Sequence, residues 1–248
     1  MFSEDELSHD AFLGGTLSIW QPKTGYRAAT DPVFLAAACP AGAGQQVLDL
    51  GCGVGTAALC VAARTRAQIT GLELQPGYAE LARRNGVDTG YAFDVMLGNV
   101  TQAPPALTAK TFDHVILNPP FFGPGTSSDD AGREASLRET APLSLWLDQA
   151  LRRTKPKGTV SVIHRIEALT EILSALNSRA GEIKIKPLTP RPGRVANRVI
   201  VQARKTSKAP LVLCNPLILH NSPSHMSDGD DFSPEASAIL RRGAALEF

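Results

Sequence analysis

Two short stretches of this 248-residue chain carry residue types that could do chemistry together. The first is Asn118-Pro-Pro-Phe121. The Asn118 side-chain oxygen and the Pro119 carbonyl are hydrogen-bond acceptors, Pro119 and Pro120 stiffen the backbone that presents them, and Phe121 offers a ring on which an unstacked base could lie. The second is Asp49-Leu-Gly-Cys-Gly-Val-Gly55. Its glycines let the main chain approach a ligand closely. Glu73 follows 22 residues after Gly51, where an acid can accept both hydroxyls of an adenosine ribose. The loose G-x-G-x-x-A match at Gly53-Val-Gly-Thr-Ala-Ala58 also fits a dinucleotide enzyme, and that match alone is weak.

The Asp before the turn and the G-x-G-x-G frame from Gly51 resemble motif I of class I S-adenosylmethionine-dependent methyltransferases. Asn118-Pro-Pro-Phe121 resembles the motif of amino-methyltransferases that modify adenine N6, cytosine N4 or a glutamine amide. An exocyclic amine is a poor nucleophile while its lone pair is delocalised, and acceptors at Asn118 and Pro119 would draw that pair toward the methyl group. The sulfonium supplies the electrophile, so no ionised base has to start the reaction. The resemblance places the methionine portion of the cofactor on Asp49, Gly51, Cys52, Gly53 and Gly55, and the ribose on Glu73. It sets the adenine beside Asn99 and Val100 under Leu74, with Asn118 at the methyl group. No metal ion is implied.

These motifs need a scaffold that brings them to one edge. Residues 46–50, 68–74, 95–97 and 113–117 read as strands alternating with helices near 56–65 and 78–85, a βαβ rhythm that predicts a parallel sheet. A strand at 17–21 and a helix opening at Asp31-Pro32 precede them. Further on, 143–153 and 167–177 read as helices, and 159–163, 182–188 and 198–204 as strands. Only residues 189–197 join the last two, too few for a parallel crossover, so the sheet should end in one reversed strand. The expected fold is α/β and Rossmann-like: a seven-stranded, mostly parallel sheet with one antiparallel strand and helices on both faces. Residues 1–45 form an N-terminal extension, 46–208 the methyltransferase domain and 209–248 a C-terminal extension of it. The loop 123–132 is rich in Gly, Ser and Asp and is expected to be mobile.

Several segments together resemble the bacterial tRNA adenine-N6 methyltransferases that act at position 37, beside the anticodon of a valine tRNA. They are Gly25-Tyr-Arg-Ala-Ala-Thr-Asp-Pro32, the glycine turn, Gly71-Leu-Glu-Leu-Gln75, Asn118-Pro-Pro-Phe-Phe122, Pro187-Leu-Thr-Pro-Arg191 and Phe232-Ser-Pro-Glu235. The family commonly has Tyr where Phe121 stands. In that family Asp31 lies at the cofactor end, where it could support the ligand or simply cap its helix. A relative with the same catalytic motif methylates a protein glutamine, and that substrate or a noncatalytic cofactor-binding protein are the alternatives. The glutamine group usually begins with a helical recognition domain, for which 45 residues leave no room.

The composition, 43% hydrophobic and 20% charged with a net charge of +1, is that of a globular chain. Residues 1–120 hold seven basic and eleven acidic side chains, whereas residues 121–248 hold 18 and 13. The stretch 183–227 lacks carboxylates altogether. Within it Arg191, Arg194, Arg198 and Lys205 are candidates for RNA phosphates, or else merely flank the terminal hairpin. The partner expected is tRNA or another structured RNA. No apolar run is long enough for a membrane span, the acidic start is unlike a signal peptide, and the four cysteines show no C-x-x-C pairing. A cytoplasmic enzyme is expected. His164 and His220 read as structural histidines, and Trp20 and Trp146 as core.

Overall fold

A computed structural model describes residues 2–121, 141–222 and 231–248. Phe122 and the loop 123–132 lie outside them. Two strands, β1 (Leu7–Phe12) and β2 (Leu17–Pro22), form an antiparallel hairpin ahead of α1 (Asp31–Ala38). The alternating unit follows as β3 (Gln46–Leu50), α2 (Thr56–Thr65), β4 (Gln68–Glu73), α3 (Pro76–Thr89), β5 (Phe93–Leu97), the single turn α4 (Pro105–Thr108) and β6 (Phe112–Leu117). Then come α5 (Leu143–Arg153), β7 (Thr154–Arg165), α6 (Leu169–Leu176), β8 (Ala180–Thr189) and β9 (Arg198–Lys205). Two-residue strands β10 (Val212–Leu213) and β11 (Leu217–Ile218) and the helix α7 (Pro234–Arg242) complete the chain.

Across the main sheet the order is β8-β9-β7-β6-β3-β4-β5, with β10 and β11 both added to the free edge of β8. All neighbours are parallel except β9, which runs against β7 and β8. The sheet is therefore the expected α/β one, enlarged to nine strands. The reversed strand is last among the long strands in sequence but sits inside the sheet, because the short turn after β8 inserts β9 between β8 and β7.

Alternation along the strands feeds two cores. Val47, Ile69, Ile116, Ile163 and Ile200 face α1 and α2, while Leu48, Leu50, Val115, Leu117, Val162 and Val201 face the side of α5 and α6. Both ends of the chain join the first core through Leu7, Leu17, Ile19, Ile239 and Leu246. Asn85, fully buried on α3, pins the N-terminal hairpin by accepting from Trp20 N–H at 2.8 Å and donating to the Trp20 carbonyl at 3.0 Å. Trp20 itself stacks on His9 and under Arg84 rather than entering a core cluster as a fully buried residue. At the other end Ser233 caps α7 by accepting from Ala236 N–H, Pro234 opens it and Gly243 closes it in the left-handed region.

Candidate active site

The carboxyl ends of β3, β4, β6 and β7 surround a cavity of about 600 Å³. Such an edge is where open parallel sheets bind ligands. On β3 the chain turns through Gly51 (φ 74°), Gly53 (φ 55°) and Gly55 (φ 90°), backbone that side chains strain to adopt. Space is limiting as well. A Cβ on Gly51 would lie 2.8 Å from the Trp146 ring, and one on Gly55 would lie 2.5 Å from Phe93.

Main-chain bonds stitch this turn to the next strand. Gly51 and Cys52 N–H both donate to the Leu72 carbonyl, at 2.8 and 3.0 Å. The Glu73 carboxylate accepts from Gly53 N–H at 2.9 Å and Gln75 N–H at 2.8 Å, which fixes its orientation at the cavity wall. Burial raises its pKa against the lowering effect of those amides. Asp49 is 2% exposed, and one of its oxygens, Oδ2, has no hydrogen-bond partner among the described residues. Burial, with Glu73 as a nearby like charge, pushes its carboxyl up to about 7.

Gly51, Gly53, Glu73, Leu74, Asn99 and Val100 line the cavity, as do Asn118, Pro119, Pro120 and Phe121. Asp49, Cys52 and Gly55 are absent from its wall. Cys52 packs instead toward Gly71 and Phe93, and Gly55 is the N-cap of α2, so these positions shape the turn from behind. Asn99 already accepts from Thr101 N–H at 2.9 Å, which holds the loop after β5.

Asn118 is presented directly beyond β6 and donates a long 3.5 Å hydrogen bond to Tyr26 Oη. Tyr26 is in turn held by Tyr78, whose hydroxyl accepts from the Tyr26 N–H at 3.0 Å. Phe121 meets the His164 ring edge-on at 4.7 Å, and the Arg198 guanidinium stands 4.8 Å from the Phe121 centroid. Burial lowers the pKa of His164, its Nδ1 has no partner among the described residues, and the ring supports Phe121 from the side. Asp31 lines the cavity and pairs with Arg198 at 3.1 Å. Thr30, not Asp31, occupies the N-cap of α1.

The four basic candidates part company in space. Arg198 is at the cavity. Arg194 is exposed in the loop between β8 and β9, on the same edge. Arg191 is committed to Asp231 at 2.6 Å and to Ser222, which ties that loop to the C-terminal segment. Asp231, which also pairs with His220, is drawn down to about 2 by the Arg191 contact first. Lys205 lies at the other end of β9, about 24 Å from Arg198 at 3.4 Å per residue, where it donates to the Thr154 carbonyl at 2.7 Å. Sequence reasoning missed Tyr26, Tyr78 and Arg165 as lining residues and placed Trp146 in the core alone; it both packs there and lines the cavity. Among the described residues no group of three or more His, Cys, Asp or Glu is arranged to hold a metal ion, and no helix is long and apolar enough to cross a membrane.

The Gly51–Gly53 cradle, a ribose-type acid held by main-chain amides, and a buried carboxylate with an unused oxygen suit a cationic adenosyl cofactor. Comparisons with known proteins agree. The family model for the Methyltransferase small domain matches residues 30–141. The tRNA1(Val) (adenine(37)-N6)-methyltransferase of Shewanella baltica is 33% identical over 73% of this chain and 79% of its own length. A solved structure of a predicted O-methyltransferase from Agrobacterium tumefaciens superposes with a TM-score of 0.70 at 30% identity, covering 87% of this chain and 98% of that one. The T. thermophilus 16S rRNA N2 G1207 methyltransferase, solved with AdoMet and guanosine, shares the fold with a TM-score of 0.55 at 16% identity, over 80% of this chain and 50% of that one. The chain belongs to the tRNA1(Val) (adenine(37)-N6)-methyltransferase family and is an S-adenosylmethionine-dependent methyltransferase of the class I fold.

Proposed function

We propose that this enzyme methylates N6 of an adenine in tRNA, the one next to the anticodon, in the cytoplasm. The observation that carries the reading is the position of Asn118-Pro-Pro-Phe121 within the strand order. The glycine turn, Glu73 and Asn99 belong to β3, β4 and the loop after β5, on one side of β6. Phe121, His164, Arg165 and Arg198 gather on the other side, over β7 and β9. Asn118 directly follows β6 and so stands at the boundary where a cofactor and an acceptor must meet.

Bound S-adenosylmethionine supplies an activated methyl group. Gly51 and Gly53 leave room for its amino-acid end, Glu73 accepts from the ribose hydroxyls, and Leu74, Asn99 and Val100 form the adenine side. The target adenine leaves its stack and lies against Phe121. Because the Asn118 amide nitrogen is engaged by Tyr26 Oη, its Oδ1 is the atom left to accept one amine proton. The Pro119 carbonyl accepts the other. Together they hold the amine as its nitrogen turns tetrahedral, and this stabilisation grows toward the transition state. The exposed Arg194 supplies positive charge where the RNA backbone would run, while Arg198, paired with Asp31, stands beside Phe121.

Methyl transfer to unmodified tRNA, followed by mass spectrometry of its nucleosides, tests the proposal. N6-methyladenosine confined to the position 3′ of the anticodon is expected. Methylation of a protein amide with no transfer to tRNA would overturn it.

A further inference from the structure

Two guanidinium groups frame Phe121 and are not equivalent. Arg165 closes β7 and Arg198 opens β9, paired directly across the antiparallel ladder. Their Cζ atoms stand 5.8 and 4.8 Å from the Phe121 ring. Adjacent like charges repel, and the structure offsets only one of them: Arg198 gives its Nε to Asp31 at 3.1 Å and an Nη to the Asn197 carbonyl at 3.2 Å. The Arg165 side chain makes no hydrogen bond or ion pair with any described residue, although it is half-buried and lines the cavity. A guanidinium held at a cavity with its donors unspent among the described residues is a site for an anion, and its planar fork matches the oxygens of a phosphate.

Strand order says whose anion it is. Arg165 is two strands from the glycine turn, roughly 10 Å at the usual strand spacing, with Asn118 of β6 between them. The carboxylate of the cofactor's amino-acid end belongs with the glycine turn, on the far side of Asn118. The acceptor belongs with Phe121.

We propose that Arg165 is the binding residue for the phosphodiester of the target adenosine, gripping the nucleotide's backbone while its base lies on Phe121, and that the Asp31-tethered Arg198 positions that ring without taking the phosphate. The proposal rests on the tRNA reading above and deepens it.

The test compares wild type with Arg165→Ala, Arg165→Lys and, as a control on a distant exposed lysine, Lys208→Ala. Initial rates of methyl transfer to unmodified tRNA, tRNA binding across a salt series and calorimetric S-adenosylmethionine affinity are measured for each. Arg165→Ala should raise KM for tRNA about 10- to 100-fold, the range for a lost hydrogen bond to a charged group. It should lower the slope of log K against log[salt] by roughly 0.7 to 0.9 and leave cofactor affinity within about twofold. Arg165→Lys should keep the slope while recovering only part of KM, since an ammonium carries the charge without the fork. Lys208→Ala should match wild type in rate. An unchanged KM and slope in Arg165→Ala would overturn the assignment, as would a parallel loss of cofactor affinity, which would make the anion the cofactor's carboxylate. A wild-type enzyme that neither binds nor methylates tRNA is a different failure: it removes the tRNA reading itself, and the assignment with it.

Discussion

The two sides of the cavity are built by different means. The side proposed to hold the cofactor, over β3 to β5, is made of main chain: three glycines in the left-handed region, amides that orient Glu73, and carbonyls that stitch one strand end to the next. Its parts fall within about fifty consecutive residues, from Asp49 to Val100. The side proposed to hold the acceptor, over β7 and β9, is made of side chains drawn from far apart, such as Asp31 with Arg198, 167 residues distant. A main-chain site can be rigid with few constraints on the side chains around it, whereas a side-chain site depends on pairs. Single substitutions should therefore act on binding on the first side, and on the chemistry or its acceptor on the second.

The largest effect should come at the boundary. On the proposed mechanism Asn118→Ala removes an acceptor used most strongly in the transition state, so kcat should fall about 100-fold or more with cofactor affinity little changed. Single-turnover methyl transfer on unmodified tRNA measures this. Near wild-type turnover would show that Asn118 does not hold the amine, and the division at β6 would lose its meaning.

On the acceptor side, Phe121→Ala should lose stacking of roughly 1 to 3 kcal/mol, expressed mainly in KM for RNA. Phe121→Tyr keeps the ring and should remain active. On the cofactor side, Glu73→Ala should weaken S-adenosylmethionine binding by roughly 1.5 to 3 kcal/mol, the scale of hydrogen bonds to a charged group. Calorimetry would show both sides of the contrast. A Phe121→Ala enzyme that lost cofactor affinity instead, or a Glu73→Ala enzyme that lost only RNA affinity, would dissolve it.

The same contrast governs how much was legible in the sequence. The cofactor side was readable because contiguous glycines and one acid at fixed spacing define it, and the buried strands β3 and β6 announce themselves as apolar runs. Asp49 was legible as a motif residue but not as one behind the wall, because burial of a single carboxylate leaves no mark on its neighbours in sequence. The acceptor side was less readable. The acid-free stretch suggested one basic surface, yet the reversal of β9 sends Arg198 to the cavity edge and Lys205 to the opposite edge, and Asp231 claims Arg191 from a segment that lies 40 residues on. A basic run in sequence becomes a basic patch only if topology keeps its members on one side. Strand β1 was hidden because polar residues fall on both of its faces, Ser8 and Asp10 half-buried on one and His9 exposed on the other, and β10 and β11 are two-residue strands too short to carry a period.

Asp49 is the more deeply buried of the two carboxylates on the cofactor side. The carboxyl of Asp49 has a folded pKa of about 7 against an ordinary value of 3.8, raised by burial above all. A carboxyl raised on folding contributes fully to stability while it is protonated in both states. That contribution is lost progressively as pH climbs from about 4 to the folded value near 7. Asn is isosteric with the protonated acid, so Asp49→Asn should melt close to wild type near pH 4 and several degrees higher at pH 8, each kcal/mol being worth roughly 2 to 4 °C in a chain of this size. Cofactor affinity should move the other way. A cationic ligand favours ionised Asp49, so wild-type affinity should rise with pH through about 7, and Asp49→Asn should bind more weakly with that rise removed. Thermal melts of the cofactor-free protein at pH 4 and 8, with calorimetry at the same two values, read both signs. If Asp49→Asn melted below wild type at pH 8, or kept the pH-dependent rise in affinity, the unused oxygen of Asp49 would be neither a cost of folding nor a contributor to binding.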